Sequence, residues 1–166
     1  MTIAVAATFL LNDRSAFLLV ADARASFDGD HSDTAIKTYT LDTGVGAVGS
    51  GDAMSCATAI EMTRGLIADH NSLDPAAPFN FYSTVRVFSY FLDKIDRARP
   101  WSNSCEVVLA GFLENGRPAL AKVISRRGER TEVHLYTHGQ PGSLIMLTGT
   151  PGGQAPSGAF PQACIR

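Results

Sequence analysis

Gly44-Val45-Gly46-Ala47-Val48-Gly49-Ser50-Gly51-Asp52-Ala53 is the stretch on which the fold turns. Residues 44–49 are small or β-branched and read as a short strand. Gly49-Ser50-Gly51-Asp52 then ends the strand, and Asp52 is a favourable N-cap for a helix. From 53 to 68, Ala53, Cys56, Ala57, Ile60 and Ile67 recur near helical spacing, with Glu61 and Arg64 on the other side. The side-chain period changes from strand to helix within four residues, so the segment joins a β half to an α half.

Upstream, residues 3–11 and 16–22 are apolar, β-compatible runs parted by Asn12-Asp13-Arg14-Ser15, which predicts a first hairpin. A polar loop at 27–33 leads to 34–41, a third strand rich in Thr and in β-branched or aromatic residues. Downstream, the spacing of Phe81, Val85, Val87, Phe88, Phe91 and Leu92 predicts a second helix over 79–97, closed by Pro100. Strands are expected at 106–113, 119–125, 131–136 and 143–147, with Asn115-Gly116 as a strong hairpin signal and a further turn at Arg127-Gly128. Residues 151–166 carry three prolines and three glycines without amphipathic pattern and read as an irregular tail. The order is four strands, two helices, four strands. It predicts an α+β domain over 1–150, in which two antiparallel sheets lie face to face and two helices cover one outer surface. The opposite surface has no helix in this chain to cover it.

At 166 residues the chain suits one domain, which at this size buries roughly 70% of its unfolded surface. A net charge of −2 gives no reason to expect nucleic acid or an anionic membrane as partner. Arg126, Arg127 and Arg130 fall together in a turn and read as a solvated hairpin tip. Cys56, Cys105 and Cys164 are too few and too scattered for a disulfide framework or a zinc site. Cys56 in a helical pattern and Cys105 opening a strand read as small buried hydrophobes. His31, His70, His134 and His138 show no ligand spacing, so neither a metal nor a cofactor is expected. No run reaches membrane-span length, and nothing basic precedes the first apolar run as in a signal peptide, so the expected compartment is the cytoplasm.

Thr2 directly follows Met1, and a small second residue favours removal of the initiator. Thr2 would then carry a hydroxyl nucleophile and a free α-amine that can act as its base. Val20-Ala21-Asp22-Ala23-Arg24-Ala25-Ser26 resembles the A-D-x-R-x-[ST] segment of proteasome β-type subunits, and Lys37 lies fifteen positions after Asp22, close to the family spacing. Val48-Gly49-Ser50-Gly51-Asp52 is similar to the family's glycine turn between strand and helix. Met1-Thr2-Ile3-Ala4-Val5 resembles the start of mature β subunits and of HslV-like and Anbu-like peptidases. Ala110-Gly111-Phe112 with Glu114-Asn115-Gly116 is similar to a later hairpin, so the resemblance covers about residues 2 to 153.

The resemblance implies an N-terminal nucleophile (Ntn) hydrolase fold and a threonine-type endopeptidase in which Thr2, Asp22, Lys37 and Gly49 are catalytic. A free α-amine ordinarily titrates near about 7.7–8.0, and a neighbouring ammonium such as Lys37 disfavours its charge and frees it as a base. Asp22 would hold Lys37 in place and charged. The Gly49 N–H, beside the positive end of the following helix, would receive the developing oxyanion; losing one such donor costs about 2.7–4 kcal/mol of barrier. Arg24 and Thr150 carry over as supporting residues, Thr150 standing where the family has a serine. Ala35, Ala47 and Gly51 carry over as walls of the specificity pocket, and small walls predict a roomy pocket that accepts large apolar residues. Peptide or unfolded protein is the implied substrate, a homo-oligomeric ring the implied assembly, and an ATPase unfoldase a partner such rings use.

Two departures stand out. Pro151 removes a backbone donor from the turn after Thr150. The family also continues with further helices and two strands, which are expected either to follow Arg166 in a longer protein or to be missing, leaving a sheet face open to a partner. The competing readings are a catalytically inactive structural subunit on the same fold and an amidohydrolase acting on a small amide.

Overall fold

The computed structural model describes residues 2–11, 14–23, 25–27, 30–32, 36–42, 44–99, 104–137 and 144–150. The chain begins with a hairpin of β1 (Thr2–Leu11) and β2 (Arg14–Ala21), in register from Ala4 opposite Ala21 to Leu11 opposite Arg14. Where a polar loop was expected, a small hairpin of β3 (Ala25–Phe27) and β4 (Asp30–Ser32) forms. Three residues per strand give too little alternation for the pattern to be read from sequence. The third and fourth expected strands are β5 (Thr38–Asp42) and β6 (Val45–Gly51). After the helices α1 (Ala53–Leu73) and α2 (Phe81–Ala98) come β7 (Cys105–Phe112), β8 (Pro118–Ser125), β9 (Glu132–Thr137) and β10 (Leu144–Thr150).

The strands form a three-stranded sheet, β10-β1-β2, and a five-stranded sheet, β5-β6-β7-β8-β9, with β3-β4 apart; every pairing is antiparallel. Alternation along the strands explains why the five-stranded sheet has two dry faces. Val107 and Leu109 of β7 point to one side with Ala119, Ala121 and Val123 of β8, and there they meet Ile60, Phe81, Phe88 and Leu92 of the helices. Val108, Ala110 and Leu120 point to the other side and meet Ala4 and Ala6 of β1, with Phe17 and Leu19 of β2 packed alongside. The resulting order is helices, five-stranded sheet, three-stranded sheet. Leu18 and Val20 on the far side of β2 are 51% and 48% exposed among the described residues.

Both helices start where polar caps stop the strand or link. Asp52 accepts from the Ser55 N–H at 3.0 Å and Asn80 from the Ser83 N–H at 2.9 Å. Asn80 also donates to Glu114 Oε1 at 3.0 Å, tying the start of α2 to the turn between β7 and β8. Asn80→Ala should therefore lower unfolding free energy by about 1 kcal/mol, read as a shift in the urea midpoint at constant m-value. The first helix runs five residues beyond its apolar pattern. Asn71 explains the extension, since it donates to Asp42 Oδ2 at 3.4 Å and accepts from the Phe79 N–H at 3.1 Å, contacts that periodicity does not carry. Among the described residues no helix is long and apolar enough to cross a membrane.

Candidate functional site

Strand β2 ends at Ala21 and strand β5 begins at Thr38, so Asp22 and Lys37 are the residues just outside two facing sheets. Lys37 Nζ donates to Asp22 Oδ1 at 3.0 Å, with the two side chains 10% and 32% exposed. A charge-assisted bond at this depth is stronger than one in open water, and leaving either partner alone would be costly. The pair closes one end of the sandwich. Since Ala4 is opposite Ala21, extending that register brings Asp22 level with Ile3, next to Thr2. On its other side the backbone of Thr2 pairs with Thr150 at the end of β10. The start of β1 thus lies between the ends of β10 and β2. The Thr2 and Thr150 side chains lie outside the described residues, as do Arg24 and Ala35.

Gly49 sits on β6 opposite Lys37. Its N–H donates to the Lys37 carbonyl at 3.2 Å, one step beyond the Thr38–Val48 pair of the β5–β6 ladder. The expected oxyanion donor is therefore already engaged, and it can serve an anion only by releasing that carbonyl. The following turn is shaped by β7. Gly51 has φ +96° and packs its Cα against the Ser104 carbonyl so closely that any Cβ would collide with it. The same carbonyl accepts from the Asp52 N–H at 3.2 Å.

Lys37, Tyr39, Gly49, Ser50, Gly51, Ala53 and Cys56 enclose a cavity of only about 20 Å³. Of the expected pocket walls Ala35, Ala47 and Gly51, Ala35 lies outside the described residues. Gly51 does line the space, but Ala47 is fully buried in the core beneath the helices, opposite Tyr39 in the ladder. Tyr39 packs against the same core cluster. Burial, and then the nearby charge of Glu61, hold the Tyr39 hydroxyl above its ordinary pKa. It stays protonated and donates to the Ile36 carbonyl at 2.7 Å, fixing the backbone just before Lys37. Tyr39 also borders a larger hollow of about 240 Å³, between β2 and the β5–β6 hairpin, lined by Phe17, Leu19, Thr40 and Val45.

The cysteines also differ from expectation. Cys56 in the first turn of α1 and Cys105 at the start of β7 are bonded to each other across 49 positions. They are buried, as small hydrophobes would be, yet they are not free thiols. Pairing became legible only through the fold, because the ladder sets Gly51 opposite Cys105 and the turn after Gly51 brings α1 back over it. Two other groups escaped the sequence reading. Tyr39 had no signal beyond sharing a strand face with Lys37. Glu106 and Lys122 form a partly exposed pair at 2.8 Å on neighbouring strands, visible only once the β7–β8 register is known. At the basic tip Arg126 pairs with Glu129 and Glu132, as a solvated turn would. Among the described residues no three acidic, His or Cys side chains gather to hold a metal. No protein-family model matches this chain, and no curated protein matches it either.

Proposed function

We propose that this chain is an Ntn hydrolase of proteasome-like build, a threonine-type peptidase whose nucleophile is Thr2 exposed by removal of Met1. The observation that supports the reading is the Lys37–Asp22 ion pair at the sandwich end where β1 begins. In this reading the α-amine of Thr2 takes the proton of its own hydroxyl as the oxygen attacks a peptide carbonyl. The resulting ammonium then gives that proton to the leaving amine, and a water activated by the same amine releases the acyl group. Lys37 disfavours charge on the amine, and Asp22 holds Lys37 in position. Oxyanion stabilisation falls to the Gly49–Gly51 turn, once the Gly49 N–H exchanges the Lys37 carbonyl for substrate. Ring assembly, and an unfoldase to feed it, follow from the same reading.

A second reading is a structural subunit that keeps the fold without turnover. The engaged Gly49 N–H and the narrow cavity beside Lys37 favour it. That narrowness also suits a small amide better than a bulky side chain. Intact-mass analysis of the purified chain separates enzyme from scaffold. Loss of Met1 together with one adduct from an N-terminal-threonine-directed peptide electrophile is the expected result. Retained Met1, or no adduct, assigns the chain to the structural reading.

A further inference from the structure

The disulfide joins two elements that build one wall of the cavity beside Lys37. Cys56 lines that cavity and is 3% exposed; Cys105 lies behind it and is fully buried. A Cβ placed on Gly49 would lie 3.7 Å from Cys56 Sγ and 3.3 Å from a Val107 methyl, so the turn and the disulfide are in packing contact. Bonded sulfurs sit inside van der Waals contact, and two thiols cannot. Breaking the bond forces the sulfurs apart within a close-packed core that has little room to give. Cys105 is enclosed on β7, whereas Cys56 faces the small cavity that it lines with Lys37, Gly49 and Gly51.

We propose that the Cys56–Cys105 disulfide is a redox-sensitive positioning element for this pocket: oxidised, it holds the Gly49–Asp52 turn and keeps the cavity open; reduced, Cys56 moves into the cavity and loosens the turn. The effect on pocket geometry stands by itself, while its effect on turnover rests on the threonine-hydrolase reading. The reductant is a dithiol. With Cys56 only 3% exposed, the dithiol's thiolate reaches and attacks Cys56 Sγ when the segment from Gly49 to Asp52 fluctuates open, and Cys105 leaves as a thiolate that takes up a proton. The second thiol of the reductant then attacks the mixed disulfide and frees Cys56, which is protonated in turn. Two electrons and two protons pass to the protein, and the dithiol becomes a disulfide. In a reducing compartment such a bond is transient and regulatory, and in an oxidising one it persists.

The test uses the intact chain at a series of ratios of reduced to oxidised dithiothreitol, with cysteine alkylation and amide hydrogen exchange read on the same samples. Without reductant Cys56 and Cys105 should resist alkylation under denaturing conditions, and with reductant both should react. Exchange of the amides of residues 49–56 should rise by a factor on the order of ten on reduction, with a midpoint matching that of alkylation, while β7 and β8 stay protected. A Cys56→Ala/Cys105→Ala variant should be indifferent to dithiothreitol. Alkylation of both residues without reductant overturns the proposal, as does unchanged exchange at 49–56. A uniform loss of protection across β7 and β8 also overturns it, because the bond would then hold the fold rather than the turn. Electrophile labelling of Thr2 is run in parallel. Absence of any adduct in both redox states removes the hydrolase reading and leaves the exchange result standing.

Discussion

Thr2→Ala and Lys37→Met should each reduce peptide or amide turnover by a factor on the order of 10³–10⁶, the range seen when the nucleophile or its activating partner is removed from a catalytic set acting as one unit. The two changes act on different terms. Thr2→Ala deletes the nucleophile, leaves the amine, and touches no described packing. Lys37→Met keeps most of the aliphatic stem in its 10% exposed slot but removes the cation that, in the proposed mechanism, disfavours charge on the amine and frees it as a base. Asp22 loses the Lys37 ammonium, yet at 32% exposure it recovers much of its hydration, which limits the folding cost to about 1–2 kcal/mol. Turnover should therefore vanish in Lys37→Met while circular dichroism stays that of the folded chain and the urea midpoint falls only by what about 1–2 kcal/mol implies. Thr2→Ser, which keeps hydroxyl and amine, should retain activity within about tenfold. If Thr2→Ala turned over substrate like the parent chain, the nucleophile would have to be sought elsewhere.

How far the sequence carried this picture depended on which interactions are local. Asp52 as a cap is a three-residue affair, and the helix starts where its carboxylate reaches the Ser55 N–H. The apolar run at 106–113 was legible as a strand, and in the fold Val107 and Val108 face two different cores. The pairing of Asp22 with Lys37 was anticipated only through the family resemblance, and the fold brings their side chains to 3.0 Å. Pairings set by the assembled sheets were not legible. Nothing in Cys56 or Cys105 announces the other until β6, the Gly51 turn and α1 are placed. The surroundings of Ala47 were hidden for a related reason: it is fully buried opposite Tyr39, a placement that only the β5–β6 register defines. Gly49 was read as part of the strand-to-helix turn, but it lies within β6 opposite Val107, and its N–H donates to the Lys37 carbonyl, a partner defined only by the β5–β6 register.

Gly51→Ala should be the most damaging single-methyl change near the site, lowering stability by roughly 2–4 kcal/mol. About 1–2 kcal/mol of that comes from forcing a side chain into the left-handed region at φ +96°. The remainder comes from the Ser104 carbonyl, which stands where the new Cβ would be and must move away. Moving it breaks its bond to the Asp52 N–H and shifts Cys105, the next residue, with the disulfide attached to it. Gly116 provides the control. It also has a positive φ, +74°, but a Cβ there meets nothing within 4 Å, so Gly116→Ala should cost only the backbone share, about 1 kcal/mol. In thermal melts of a chain this size the two variants should fall about 5–15 °C and about 2–4 °C below the parent. Equal losses would mean that close approach to β7 contributes nothing and that the turn is shaped by its own residues alone. A larger loss at Gly51, accompanied by slower electrophile labelling of Thr2, would tie the placement of the Gly49–Asp52 turn against β7 to the chemistry at the start of β1.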